Sequence, residues 1–354
     1  MLRRKLFVKS LMAPAIASVV GISACTVQRM QPPVAASNQG AVLDDHMSHM
    51  TPEEIHGPMV PDGPIDMSQQ GHEGLPASNA TATARLKASP RHGEWVKIAW
   101  EPGSADSLMA WVVYPKSTAK APVIVVVHEI FGLSTWVQAV ADQAAADGFI
   151  AIAPDLLSRV RGGPSSITLS DDSARKMIGG VNTTERNKGI IAVANYAMML
   201  PAAQQKYGVI GYCWGGQTVW AHGVNGGVKG YGGGVAFYGA FPYNNPGTPA
   251  TATAPAIPGA PNVDSLQKIN KPLMLLNGSA DARIGASMPM LDSLMKAFKK
   301  DYSGTNYPGA IHGFLRAQDD PTTGANAAET QAANLSAAKD AWPKMLAFMK
   351  KQLK

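Results

Sequence analysis

The stretch Ala121 to Gly132, "APVIVVVHEIFG", constrains the fold of this chain more than any other. A β-branched run without polar alternation is wrong for a strand with one wet face, so it reads as a strand buried on both faces of a parallel sheet. Parallel strands need crossover helices, and the flanking sequence alternates accordingly. "EWVKIAW" and "LMAWVVYP" read as two early strands joined by a turn at Pro102-Gly103. "WVQAVADQAAADG" reads as a helix stopped at Gly148, and "FIAIAPDLL" as a second buried strand. "TTERNKGIIAVANYAMML" places Ile190, Val193, Ala194, Ala197 and Met198 on one helical face. "YGVIGYC", "GGVAFYGAF" and "KPLMLLNGSAD" continue the strands. A last helix is predicted from about Ala327 to Leu353, kinked or restarted near Pro343. This alternation over residues 93–354 predicts one α/β domain built on a mostly parallel, doubly wound sheet with flanking helices.

The first 92 residues have a different character. Arg3, Arg4, Lys5 and Lys9 precede the apolar stretch Leu11 to Ile22, which at about a dozen residues has the length of a signal-peptide core and is too short for a bilayer of roughly 30 Å. Ile22-Ser23-Ala24-Cys25 resembles the bacterial lipobox, in which Cys25 is acylated and becomes the mature N-terminus. Arg3-Arg4-Lys5-Leu6-Phe7 resembles a twin-arginine signal. The expectation is an exported bacterial envelope protein, a lipoprotein facing the periplasm, with membrane contact only through its lipid. Loss of residues 1–24 removes four basic residues and no acid from a net charge of +6, so nothing points to nucleic acid or to an anionic membrane. Of two cysteines, Cys213 is then the one remaining thiol, and no internal disulfide can form.

Residues 25–92 read as a tether, with no sustained period and too little apolar surface to order itself. His46, Met47, His49, Met50, His56, Met59, Met67 and His72 form a loose cluster within it. Imidazole and thioether suit copper, but the spacing is irregular, and a polar linker that happens to hold these residues reads the same. No metal ligand is assigned.

In a doubly wound sheet the chemistry collects at the carboxyl ends of the strands. "VIGYCWGGQ", Val209 to Gln217, puts Cys213 at such an end, with Gly211 two residues before it, Gly215 two after, and Gly216 next. This is the pattern of a strand-to-helix elbow that holds a nucleophile in a strained backbone conformation, where larger side chains would strike the neighbouring strand. A thiol at neutral pH needs a base, and the base an orienting acid. Asp281 ends "LMLLNGSAD" and His312 sits in the glycine-flanked "NYPGAIHGFLR". The order Cys213, Asp281, His312 is the order of nucleophile, acid and base in hydrolases with this elbow.

Five separated motifs, "HEIFGL", "APDLLSR", "GYCWGG", "NGSAD" and "HGFLR", together resemble the dienelactone hydrolase family of α/β-hydrolases over about residues 93–354. The resemblance implies the α/β-hydrolase fold and a Cys213-Asp281-His312 triad with no metal or organic cofactor. It implies hydrolysis of the enol-lactone of carboxymethylenebutenolide compounds through an acyl-thioester. By the same resemblance Glu129 contacts the resting thiol and helps to activate it, the backbone N–H groups of Ile130 and Trp214 form the oxyanion hole, and Arg316 holds the substrate carboxylate. The family's second arginine for that carboxylate has no matching motif here, although Arg175 and Arg186 lie in the right region.

Export and tethering depart from the family. So does the insertion at residues 243–262, "YNNPGTPATATAPAIPGAPN", which is expected near the carboxyl edge of the sheet, either bordering the site or as a surface loop. Trp214, next to Cys213, either narrows the pocket, stacks on an aromatic acyl group, or packs in the core. The partner is expected to be a small lactone or ester. The alternatives are a general envelope carboxylesterase with no dienelactone preference and a non-catalytic copper-binding lipoprotein. A redox role for Cys213 lacks a resolving cysteine.

Overall fold

Strand β3 (Ala121–Val127) has Val123 to Val127 wholly removed from solvent, and at roughly 2 kcal/mol per side chain this one strand contributes on the order of 10 kcal/mol of apolar burial. The computed structural model describes residues 66–162, 171–248, 253–255, 257–320 and 326–354. Residues 1–24, Cys25 and the predicted tether as far as residue 65, with His46, Met47, His49, Met50, His56 and Met59, lie outside the described residues.

Around β3 the described elements run α1 (Ala82–Ala88), β1 (Gly93–Ala99), β2 (Ser107–Val113), then after β3 α2 (Thr135–Ala146), β4 (Ile150–Asp155), α3 (Ser158–Arg161) and α4 (Asp171–Ile178). The second half runs α5 (Thr183–Met198), β5 (Ala203–Tyr212), α6 (Trp214–Asn225), β6 (Tyr231–Phe237), β7 (Tyr243–Asn245), β8 (Ala260–Pro261) and α7 (Val263–Lys268). It ends with β9 (Leu273–Gly278), α8 (Ala282–Ala297), β10 (Tyr302–Tyr307) and α9 (Ala327–Gln352). Eight strands form one sheet in the order β1-β2-β4-β3-β5-β6-β9-β10. Pairing is parallel from β4 to β10, while β2 is antiparallel to both of its neighbours. From β3 the chain winds first to β4 on one side and then to β5 on the other. The switch point therefore lies between β3 and β5, where a crevice opens at the carboxyl ends.

Local chemistry explains most boundaries. Asn182 and Glu185 form a reciprocal capping box that starts α5, and Ile190, Val193, Ala194 and Ala197 bury its inner face. Met198 is only partly buried. The last helix does not restart at Pro343: α9 runs through it, with Trp342, Met345 and Met349 buried and the Trp342 Nε1–H donating to Asp147 Oδ2 at 3.0 Å.

The expectation that the chain orders only from residue 93 is corrected. Residues 66–92 pack on the domain, with Leu75, Ala77, Ala82 and Ala84 buried. The outer face of α2, poor in charge, receives this segment. The Trp136 Nε1–H donates to Ala77 O at 2.9 Å, and Arg91 pairs with Asp142 at 2.5 Å. The Arg85 guanidinium donates to the carbonyls of Gln70, His72 and Leu75 and to Gln143 Oε1. A segment with little apolar surface of its own can order when its buried backbone groups find partners elsewhere in the fold. The insertion also has structure: β7 pairs antiparallel with β8, and the Gly259 N–H donates to Ser287 Oγ on α8 at 2.8 Å.

Candidate active site

Cys213 sits between β5 and α6 at φ +55°, ψ −116°, a left-handed conformation that a side chain adopts only when its surroundings enforce it. The enforcing contacts are backbone to backbone. A Cβ added at Gly211 would stand 2.2 Å from Gly215 O, and one at Gly215 would stand 2.3 Å from Val127 O and 2.6 Å from His128 O. At Gly216 it would meet Gly239 Cα at 2.6 Å. Only hydrogen fits between α6 and the ends of β3 and β6, so the glycines let the elbow close against both strands.

Asp281 and His312 come from the other half of the sheet. Asp281 stands at the N-terminus of α8 but does not cap it with its side chain; its Oδ2 lies 2.7 Å from His312 Nδ1 instead. Gly278 permits this approach, since a Cβ there would lie 2.3 Å from Ala310 O and 2.6 Å from Ile311 O, in the loop that carries His312. The Ile311 N–H donates to Asn334 Oδ1 at 3.1 Å, tying that loop to α9. Burial disfavours protonation of His312. The charge of Cys213, its hydrogen bond, and the bond and charge of Asp281 outweigh that effect and raise His312 well above the ordinary imidazole value. Asp281 and His312 are thus hydrogen-bonded to each other, and the electrostatic influence of Cys213 on His312 places the thiol close to the same imidazole.

Glu129 and Arg316 meet beside it. Arg316 Nε lies 3.2 Å from Glu129 Oε2, both residues almost fully buried. Burial opposes the charge on Arg316, but Glu129 foremost, then Tyr238, Asp320 and Cys213, raise its pKa. Of the two arginines left open by sequence, Arg175 on α4 lies 5.2 Å over the Phe131 ring, the ring that Arg316 overlies at 5.0 Å. Arg186 is elsewhere: buried, pushed down to about 10 by desolvation, and hydrogen-bonded to the hydroxyls of Thr183 and Thr218.

Trp214 is fully buried, with the Arg186 guanidinium 4.8 Å over its ring and the His128 imidazole stacked at 5.4 Å. With no part of it exposed, the side chain packs in the interior rather than stacking on a substrate. His128 has a role that sequence did not suggest. The Leu156 N–H donates to its Nε2 at 3.3 Å, which leaves the proton on Nδ1 to donate to Glu129 O at 2.7 Å. That carbonyl belongs to the peptide whose N–H is Ile130's, so His128 fixes the plane of one expected oxyanion donor. Tyr238 was also missed. At φ +40° its ring meets that of His312 at a steep angle, 5.1 Å between centroids. Its sequence signal is weak, an aromatic before Gly239 at a strand end. The insertion reaches this region as well, because the charges of Asp281 and Arg283 act on Tyr243.

Among the described residues no group of three or more His, Cys, Asp and Glu side chains could hold a metal ion. His72, from the His/Met cluster, pairs with Asp319 at 2.7 Å, and Met67 is exposed.

A family model described as the dienelactone hydrolase family matches residues 108–353. A Synechocystis sp. protein assigned by name as a carboxymethylenebutenolidase is 27% identical over 262 residues, covering 72% of this chain and 95% of its own. An Escherichia coli K12 protein with the same assignment is 26% identical over 252 residues, covering 70% and 84%. Among solved structures, one assigned as a dienelactone hydrolase from Klebsiella pneumoniae superposes with a TM-score of 0.54 at 23% identity, covering 73% of this chain and 99% of that one. A dienelactone hydrolase-like promiscuous phosphotriesterase from metagenomic libraries gives 0.52 at 19% identity, covering 73% and 98%. These likenesses show the α/β-hydrolase fold.

Proposed function

From the premise that this chain belongs to the dienelactone hydrolase family of ester- and lactone-cleaving enzymes, we propose that it hydrolyses small lactones or activated esters with Cys213 as nucleophile, preferring substrates that carry a carboxylate. The observation that carries the reading is the Asp281–His312 hydrogen bond, with that imidazole under the influence of a cysteine held at positive φ.

The steps follow from that geometry. His312 takes the thiol proton, and the sulfur attacks the acyl carbon. The oxyanion is received by the backbone N–H groups of Ile130 and Trp214. The negative charge of the attacking sulfur is met by the imidazolium and by the amide dipoles at the start of α6. Collapse breaks the acyl–oxygen bond; the departing enolate or alkoxide takes the proton from His312, leaving an acyl-thioester on Cys213. A water that gives its proton to His312 then attacks the thioester, and the acid leaves as sulfur recovers as the better leaving group. Because sulfur leaves a tetrahedral intermediate more readily than an amine does, activated esters and lactones suit this site and amides do not.

Arg316 and Arg175 support the acidic preference, since two guanidinium groups over one aromatic ring would suit a substrate carboxylate, although Arg175 also pairs with Asp172 at 3.2 Å. A second reading, a general envelope carboxylesterase, draws on the fact that Arg316 is already paired with Glu129. Kinetics on a dienelactone, a neutral lactone and a p-nitrophenyl ester separate the two. Arg175→Gln is expected to raise KM for the dienelactone by about tenfold, the loss of one charge-assisted bond, with kcat on the neutral ester unchanged within about twofold. Equal effects on both substrates would favour the general esterase. The basic start, the apolar stretch and Cys25 support export with a lipid anchor, which metabolic palmitate labelling of native protein and Cys25→Ala tests directly.

A further inference from the structure

The turn that carries His312 continues through Arg316 to Asp320, and its far end is held by the N-terminal segment. The Asn79 N–H donates to Arg316 O at 2.9 Å, the Ala80 N–H to Asp320 Oδ1 at 3.1 Å, and Gln318 Nε2 to Pro76 O at 2.8 Å. His72 Nε2 pairs with Asp319 Oδ1 at 2.7 Å. The segment cannot shift independently, because Ala77 is fixed by Trp136 and the carbonyls of Gln70, His72 and Leu75 by Arg85.

Asp320 is the unusual member of this clasp. Only 2% of it is exposed, and its Oδ2 has no hydrogen-bond partner among the described residues. An asparagine would accept from Ala80 equally well without placing a charge in the interior, so packing alone does not call for a carboxylate. The consequence of its charge falls on Arg316, which already faces Glu129 directly.

We propose that Asp320 is a positioning and specificity residue that acts through Arg316: its negative charge weakens the grip of Arg316 on an acidic substrate, and its neutral form strengthens it. This rests on the reading of Arg316 as the substrate-carboxylate arginine. Burial first and the Asp319 charge second raise Asp320 to about 6, against the Ala80 N–H and the Arg316 charge, which lower it. The other titratable groups in this circle are His72 and Arg85, which face Asp319, and Glu129, Tyr238 and Cys213, which face Arg316; burial keeps the Tyr238 hydroxyl neutral in this range. Below about pH 6 Asp320 is neutral and one carboxylate faces Arg316; above it there are two, and a substrate anion must compete with both. Binding of the anion is accordingly linked to proton uptake.

The test is the pH dependence of KM between pH 5 and 8 for a dienelactone and for a neutral ester, with native protein, Asp320→Asn and Arg316→Lys. The expected result for native protein is a KM for the dienelactone that rises at least about tenfold across this range, as expected for one added unit charge several ångströms away at an effective dielectric of about 20, while KM for the neutral ester stays flat. Asp320→Asn should hold the low dienelactone KM at all pH values, with kcat on both substrates unchanged within about twofold. An Asp320→Asn profile that keeps the native rise, or a shift of equal size with both substrates, overturns the proposal. If Arg316→Lys leaves the ratio of the two KM values unchanged, the reading of Arg316 fails and the proposal with it. If that ratio changes while Asp320→Asn behaves as native, only the role of Asp320 fails.

Discussion

Cys213→Ala is expected to lower kcat on any ester or lactone the native protein hydrolyses by about 10⁴-fold or more, the scale seen when the nucleophile of a triad is removed. The substitution keeps the Cβ and the backbone and removes one buried atom from a residue 2% exposed, so the fold should survive it. Circular dichroism should be native and the melting temperature within a few degrees. Asp281 and His312 remain hydrogen-bonded to each other, but without sulfur they have nothing to activate except water. Retention of a tenth of native activity by a folded Cys213→Ala protein would assign the chemistry to another residue.

Gly215→Ala is the second large effect. In a helix interior alanine normally gains about 1 kcal/mol over glycine, and Gly215 lies inside α6. Here that gain is outweighed, because the new Cβ would be 2.3 Å from Val127 O and 2.6 Å from His128 O, backbone atoms of the central strand and its exit. Relief requires α6 to move away from β3, which displaces Cys213, Trp214 and the Glu129–Ile130 peptide together. Overpacking against side chains costs about 1–3 kcal/mol, and a clash with two carbonyls should reach about 3 kcal/mol or prevent soluble expression. Gly179→Ala is the matched control: its Cβ would meet only Lys176 O at 3.8 Å, so stability should change by less than about 0.5 kcal/mol. Urea denaturation of both proteins checks the contrast.

The contrast also shows what sequence makes legible. Short-range patterns that must satisfy backbone sterics, such as the buried run of β3 and the glycines around Cys213, leave a direct trace in residue type. The order Cys213, Asp281, His312 could be read because each residue follows a recognisable strand or loop. Long-range clasps leave little trace. Residues 66–92 look like linker because their order comes from Arg85, Trp136 and Gln318 satisfying backbone carbonyls, not from a periodic apolar face. Strand β10, "YSGTNY", is polar and glycine-containing because it pairs only with β9 at the edge of the sheet. Arg175 could not be chosen over Arg186 from their motifs. Its approach to Phe131 depends on how α4 packs, whereas Arg186 stays buried against Trp214. The role of His128 depends on which backbone groups its two nitrogens meet, and no spacing encodes that.

The central claim is an acyl group on Cys213 during turnover. Rapid-quench mass spectrometry of the full chain with a slowly deacylated p-nitrophenyl ester measures it directly, with Cys213→Ala run in parallel. The predicted result is a mass increase of one acyl group that forms before the steady state, maps to the peptide containing Cys213, is released by hydroxylamine and is absent from Cys213→Ala. Native turnover with no adduct at any time, or with an adduct on a different side chain, would contradict it.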